Sequence, residues 1–304
     1  MKSRNLIIKT LLIGFIIIGI SASAFNHASE NKYKKITILY TNDTHSRIEP
    51  FTSTDKKFAN LGGYARRAAL IKQIRSEEKN VLLFDAGDAL QGTPYYNFYH
   101  GELEYKLMSL MGYTAIDIGN HEFDGGLEGL NKLLPLATFD ILSANYDFSE
   151  TILKDKIKPF AIYTVDGIKV GVFGLGLALN GLVFPNNYGK TKYLNPLEKA
   201  AETAYFLKKT EKCNLVICLS HLGFSYKDDQ ISDVVLAKQS KNIDLIIGGH
   251  THTFLDKPCV IKNSDNEDVV ITQTGWGGTR LGRVDFYFAK NSAVKFVKVE
   301  AKKK

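Results

Sequence analysis

Five short runs hold the residues of this chain whose types and spacing can do chemistry: Asp43-Thr-His45, Gly87-Asp88, Gly119-Asn-His-Glu-Phe-Asp124, Ser220-His221 and Gly248-Gly-His-Thr-His252. They contain five of its seven histidines. Asp43 and His45, two apart on an extended segment, point to the same side and can chelate one ion. Asp88 follows a glycine that lets the backbone turn sharply. A carboxylate there is the natural bridge between two ions, because each imidazole nitrogen serves only one. His250 and His252 repeat the alternate spacing, so each could serve a different ion. Asn120 offers a neutral amide oxygen, and His221 completes the second ion. Oxygen and imidazole donors without thiolates admit Mn, Zn, Co or Fe. Two such divalent metal ions about 3.5–4 Å apart would form a hydrolytic centre.

Each run closes an apolar, β-like stretch, at 36–41, 81–86, 115–118, 215–219 and 243–247. Side chains just past the strand carboxyl ends of an α/β sheet gather along one edge, so separate strands deliver these groups to one place. Amphipathic helices are expected at 62–78, 102–111, 127–136, 196–210 and 229–240. A further strand is expected at 141–145, a tight hairpin at Asp166-Gly167, and β-structure beyond residue 260 with a turn through 263–267. Strands alternating with helices predict sheets covered by helices.

Taken singly, each residue has a plainer reading. Gly87-Asp88 could be only a turn, Asn120 a helix cap, and a lone histidine after a strand a hydrogen-bonding group. Glu122 and Phe123 read as structural, Asn145 as structural rather than ligating, and His27 and His100 as surface or linker residues. A complete ligand set from independent turns is far harder to obtain by accident.

In this order the runs resemble the calcineurin-like metallophosphoesterases, and within them the catalytic domain of the 5′-nucleotidases. The stretch Ile38-Leu-Tyr-Thr-Asn-Asp-Thr-His45, the hexad at 119–124 and the closing run Thr272-Gln-Thr-Gly-Trp-Gly-Gly278 carry the likeness, which covers nearly all of 36–290. It implies an α/β four-layer sandwich, with two mixed β-sheets face to face flanked by α-helices. It also implies that one ion is held by Asp43, His45, Asp88 and His252, and the other by Asp88, Asn120, His221 and His250. The nucleotidases often carry Gln where this chain has His252, and an imidazole there still ligates. His121 precedes Asp124 by three residues, a spacing that brings the two together on a helical turn. The likeness makes them a catalytic pair, with Asn120 and His121 facing the scissile phosphate. Attack on phosphorus would be in line, by water activated between the ions.

The implied function is removal of phosphate from nucleotides. The alternatives are a phosphomonoesterase or cyclic phosphodiesterase of broad specificity and, from another class, a non-catalytic metal-binding interaction module. Two-domain nucleotidases recognise the nucleoside through a C-terminal domain, expected here on a separate partner chain. Loops such as 180–193 offer a private pocket instead.

The 304 residues suit one large α/β unit at 36–304, preceded by a linker at 25–35. Lys2, Arg4 and Lys9 lead into an apolar run at 6–20 followed by Ser-Ala-Ser-Ala, the pattern of a secretory signal peptide over 1–24. The run is shorter than the ~20 residues a membrane span needs, so no stable membrane insertion is expected after cleavage; an uncleaved anchor is the alternative. Three of the 39 basic residues and none of the 32 acidic ones fall in 1–24, leaving a charge of +4 on the remainder. That balance gives no reason to expect a nucleic-acid polymer as partner. Cys213, Cys218 and Cys259 allow at most one disulfide.

Expressed in an exporting cell, the mature protein should begin at Phe25. N-terminal sequencing that returns Met1 would favour the uncleaved anchor.

Overall fold

The computed structural model describes residues 33–289 and the strand backbone at 295–299. The expected signal peptide lies outside the described residues. In one sheet, β1 (Tyr33–Thr41), β2 (Val81–Asp85), β3 (Ala115–Asp117) and β4 (Asp140–Leu142) run parallel. Strands β13 (Gly282–Ala289) and β14 (Lys295–Val299) extend it antiparallel beside β1, giving the order β14-β13-β1-β2-β3-β4. In the other, β7 (Ile168–Leu175), β9 (Leu215–Ser220), β10 (Leu245–Gly248) and β12 (Asp268–Thr272) are parallel. Antiparallel β6 (Phe160–Val165) and β11 (Cys259–Lys262) close its edges. A ribbon of β5 (Tyr146–Asp147) and β8 (Lys192–Tyr193) stands apart from both.

The strands read as continuous apolar runs because both of their faces are buried. Alternate residues then go to different cores. Ile36, Ile38, Leu82 and Phe84 meet Leu215, Ile217, Leu245 and Ile247 between the sheets. Leu39, Leu83 and Ile116 face the other way, against Ile71, Tyr105, Met108 and Leu130. These last belong to α1 (Tyr64–Glu77), α3 (Glu102–Met111) and α4 (Gly126–Leu133). On the far side, Val216, Cys218 and Ile246 pack on Ala200, Ala204 and Leu236, from α6 (Pro196–Tyr205) and α7 (Asp233–Gln239). The layers are therefore helix, sheet, sheet, helix.

Several boundaries differ from expectation. Strand β1 starts at Tyr33, inside the segment read as a linker, because Tyr33 pairs with Ala289. The helix expected at 127–136 stops at Leu133, and Pro135 turns the next residues into a 3₁₀ segment. The one expected at 229–240 starts only at Asp233, after Ser232, whose hydroxyl accepts from Val235 N. Two short helices, α2 (Pro94–Tyr99) and α5 (Pro185–Tyr188), were not foreseen; each opens on proline, whose fixed φ suits a first helical position. All three cysteines are free thiols. Among the described residues, no helix is long and apolar enough to cross a membrane.

Truncating Ile217, fully buried between the sheets, to Ala should cost about 2–5 kcal/mol in denaturant unfolding. Val260→Ala on the exposed edge strand should stay within about 0.5 kcal/mol.

Candidate metal centre

The parallel strands of both sheets end at one cleft, and the loops that follow carry all of the residues singled out above. Asp43 and His45 follow β1, Asp88 follows β2, Asn120 to Asp124 follow β3, His221 follows β9, and His250 and His252 follow β10. Two groups of three donors result: Asp43, His45 and His252, and Asp88, His221 and His250, each with donor atoms within 4.8 Å of one another. Asp88 also falls within a third such group with His45 and His121, so its carboxylate stands between the first two. Asn120 Oδ1 lies 3.1 Å from His250 Nδ1, which puts the amide with the second group.

The contacts inside the cleft suit a cation better than they suit each other. His45 Nε2 and His252 Nε2 face each other at 3.0 Å, and His252 Nε2 is 3.3 Å from Asp43 Oδ1. His221 Nε2 is 3.0 Å from Asp88 Oδ2, yet it is not aligned for a hydrogen bond and is left without a partner. Its other nitrogen, Nδ1, donates to the Ala86 carbonyl at 2.7 Å, so in the neutral ring Nε2 carries the lone pair, the tautomer a metal ligand needs. Burial opposes a charge on His221, but the neighbouring Asp88 carboxylate outweighs it and raises the pKa well above the usual histidine range. His250 is driven the other way, down to about 4, by burial first and then by the charge of His221.

Backbone strain is concentrated at the same place. Asp43, His45, Asp88, His250 and His252 all have left-handed φ, between 47° and 69°. Non-glycine residues adopt that region uncommonly, Asp and His more readily than most, and holding them there costs free energy that the surrounding structure must supply. Gly87, at φ 90°, lets the β2 loop close onto its neighbours: a Cβ would stand 2.7 Å from both Gly119 N and His221 Nδ1.

His121 and Asp124 sit at the rim. Nδ1 of His121 is 2.8 Å from Asp124 Oδ2, and both side chains keep 31% of their surface exposed. Burial alone would lower the His121 pKa; the hydrogen bond to Asp124 and the Asp88 charge outweigh it, and the value rises to about 8. His221 is fully buried and His252 is 41% exposed on its side chain, so the cleft opens toward His252 and the His121–Asp124 pair.

Sequence reasoning singled out the side chains that meet in the cleft and passed over what holds them. Glu122, read only as structural, is buried and accepts from Asp88 N and Ala89 N at 2.9 Å and from Gly119 N at 2.7 Å. One carboxylate thereby ties the Asp88 loop to the Asn120 loop. Asn42 donates to Asp43 Oδ2 at 2.6 Å and accepts from Thr274 N at 2.7 Å. Its place directly before Asp43 was the available signal. Asn145 bonds Gly176 through both amide atoms, and His100 is an exposed helix end.

A family profile described as calcineurin-like phosphoesterase matches residues 36–254. The chain is 35% identical over 292 residues to the trifunctional nucleotide phosphoesterase YfkN of Bacillus subtilis (strain 168), covering 85% of this chain and 18% of that protein. It is 35% identical over 274 residues to the snake venom 5′-nucleotidase of Gloydius brevicauda, covering 84% of this chain and 45% of the venom protein. The crystal structure of a 5′-nucleotidase precursor from Thermus thermophilus superposes with a TM-score of 0.77 at 32% identity, covering 89% of this chain and 55% of that one. The chain thus spans about half the length of these nucleotidases, and less of the Bacillus protein.

Glu122→Ala should lower stability by about 3 kcal/mol, since three buried N–H groups lose their acceptor, and should weaken divalent-ion binding although Glu122 is not a donor to the ions. Glu122→Gln should recover part of both. Ion affinity unchanged in the Ala variant, measured by calorimetry, would show that the loops hold their places without it.

Proposed function

The chain belongs to the calcineurin-like phosphoesterase family, and from that premise we propose that it hydrolyses phosphoesters with two divalent ions, removing phosphate from nucleotides in the manner of a 5′-nucleotidase. The observation that carries this reading is the pair of donor triads meeting at Asp88, with the His121–Asp124 pair on their open side. Asp43, His45, Asp88 and His252 would hold one ion, and Asp88, Asn120, His221 and His250 the other. When bound, such ions neutralise charge on a phosphoryl group and lower the pKa of a shared water.

The remaining work falls to the chain itself. Asp124 accepts from His121 Nδ1–H, which fixes the ring and favours its protonated form. Nε2–H of His121 is then available to a phosphoryl oxygen as negative charge develops, or to the leaving oxygen as a proton donor. The amide of Asn120, whose Oδ1 lies 3.1 Å from His250 Nδ1, would add a contact to substrate. A module that only bound metal would have no need of this pair. Because the matched relatives are about twice as long as the segment they share with this chain, we propose that discrimination among nucleosides draws on a further domain beyond the segment matched here. We read 36–304 as the catalytic unit and 1–24 as a signal directing it out of the cytoplasm.

Metal analysis under saturating Mn or Zn should find two ions per chain, and chelation should abolish hydrolysis. Asp88→Ala should weaken both sites together; loss confined to one ion would refute the bridge. His121→Ala should keep both ions yet slow turnover by about 10²–10⁴-fold, with Asp124→Asn losing less. The substrate class is tested by assaying the mature chain on AMP, cyclic nucleotides and p-nitrophenyl phosphate. Hydrolysis of the aryl phosphate with little preference among nucleotides is the expected result; high selectivity for one nucleoside monophosphate by residues 25–304 alone would overturn the proposal that a further domain is needed.

A further inference from the structure

Of the two neighbouring arginines on α1, Arg67 is the one turned inward. It is 4% exposed, and its Nε and Nη2 have almost no accessible surface and no hydrogen-bond partner. Nothing reaches these atoms from solvent, so the charge of this guanidinium has to be met from inside the protein. The Tyr64 ring lies 4.4 Å beneath it, and Nη1 donates to the Tyr113 hydroxyl at 3.3 Å. Among the described residues no carboxylate forms a salt bridge with it, yet the charge of Asp85 acts on it.

A line of hydroxyls joins the two. Thr41 Oγ1 lies 2.7 Å from the Tyr113 hydroxyl and donates its proton to Asp85 Oδ2. A hydroxyl has one proton to give. Thr41 must therefore accept from Tyr113, whose own oxygen accepts from Arg67. Every donor in the line points from the guanidinium toward the carboxylate, an arrangement in which each bond polarises the next. Thr41 and Asp85 are register partners at the ends of β1 and β2, and Tyr113 lies between α3 and β3; all three are buried. Burial pushes the Asp85 carboxyl up to about 6, and the Thr41 hydrogen bond and the Arg67 charge pull against it, so it is ionised at neutral pH. Its other oxygen, Oδ1, accepts from Gly87 N at 3.0 Å.

Gly87 is the residue that turns the chain into Asp88. We propose that Arg67, acting through Tyr113, Thr41 and Asp85, is a positioning residue for Asp88: the buried cation anchors the Asp85 carboxylate, and that carboxylate holds the turn that aims Asp88 into the cleft. This rests on the reading of Asp88 as the ligand shared by the two ions. Glu122 takes the next amide, Asp88 N, at 2.9 Å, so two carboxylates grip successive N–H groups of one turn. Arg67 also backs the closing run. A Cβ on Gly278 would collide with its Nη2, and the adjacent Gly277 donates to the Asp43 carbonyl at 2.8 Å.

The line can be cut at a single atom. Tyr113→Phe removes the hydroxyl and keeps the ring. In the metal-free, isotope-labelled full chain, the Gly87 amide resonance should shift and its hydrogen exchange should quicken by about 3- to 10-fold. Calorimetric titration with Mn should show affinity weakened by a similar factor in Tyr113→Phe and by about 10- to 100-fold in Asp85→Asn. The double variant should bind no more weakly than Asp85→Asn alone, because both changes break the same line. Tyr105→Phe is the control: its hydroxyl is equally buried and has no partner, so its loss should leave the Gly87 amide and the ion affinity unchanged. Arg67→Met should match or exceed Tyr113→Phe, and the hydroxyl variants decide the matter if it does not fold. A Tyr113→Phe chain that melts at a lower temperature yet keeps wild-type Gly87 exchange and ion affinity would overturn the proposal and leave Arg67 a fold-stabilising residue. So would losses that add in full in the double variant, or a Tyr105→Phe chain that loses as much as Tyr113→Phe. If the wild-type chain binds no Mn, the reading of Asp88 as a shared ligand fails, and the Gly87 amide still decides whether Arg67 holds the turn.

Discussion

Asp43, His45, Asp88, Asn120, His221, His250 and His252 turn their polar atoms toward one another in a single cleft, and aiming them strains the backbone as well. Five of the seven have left-handed φ, each at a cost of about 1 kcal/mol or more. Together that is about 5 kcal/mol, on the scale of the whole net stability of a domain. Such a cleft persists only inside a frame stable enough to carry it. The frame is the pair of sheets with a shared apolar core, whose parallel strands bring the strained loops to one end. Glu122 and Asn42 then satisfy backbone N–H groups that the sharp turns would leave unpaired.

The cleft is graded from dry to wet, and the grading separates tasks. Asp43 and His221 have no exposed surface, so their positions are set by packing and their charges are little screened. His121 and Asp124 lie where solvent and a substrate can reach them. A group that exchanges a proton with substrate has to sit on that side. A donor that has to keep its geometry when charge changes nearby is better placed on the buried one.

How much of this was legible depends on how local the cause was. The strands at 81–85 and 215–220 could be read because both faces are buried and the apolar run is unbroken. The side chains that meet in the cleft could be read because glycine, aspartate and histidine stand directly after those runs. Helix ends were read less well where one residue decided them: Ser232 delays α7 and Pro135 ends α4 early. The stacking of the two sheets is a long-range choice that periodicity does not encode, and family resemblance supplied it. Residues such as Arg67 stayed hidden because nothing in a helical Ala-Arg-Arg run tells which arginine turns inward; Arg67 is buried and Arg66 is not.

The closing run at 272–278 shows why a centre built from two sheets needs a clasp. Its residues leave β12 of one sheet and reach loops belonging to both. Gln273 donates to the Gly249 carbonyl at 2.8 Å and accepts from Thr253 N, which fixes both ends of the loop bearing His250 and His252. Thr274 and Gly275 hold Asn42, and Gly277 holds the Asp43 carbonyl, so the same run also fixes the loop after β1. Sliding of one sheet on the other would separate Asp43 and His45 from His252, the partners of a single donor group. Hydrogen bonds within each sheet cannot oppose that motion, because among the described residues no ladder crosses the apolar layer between them. The polar links at the strand ends can, and there the register between the sheets is coupled to the spacing of the donors.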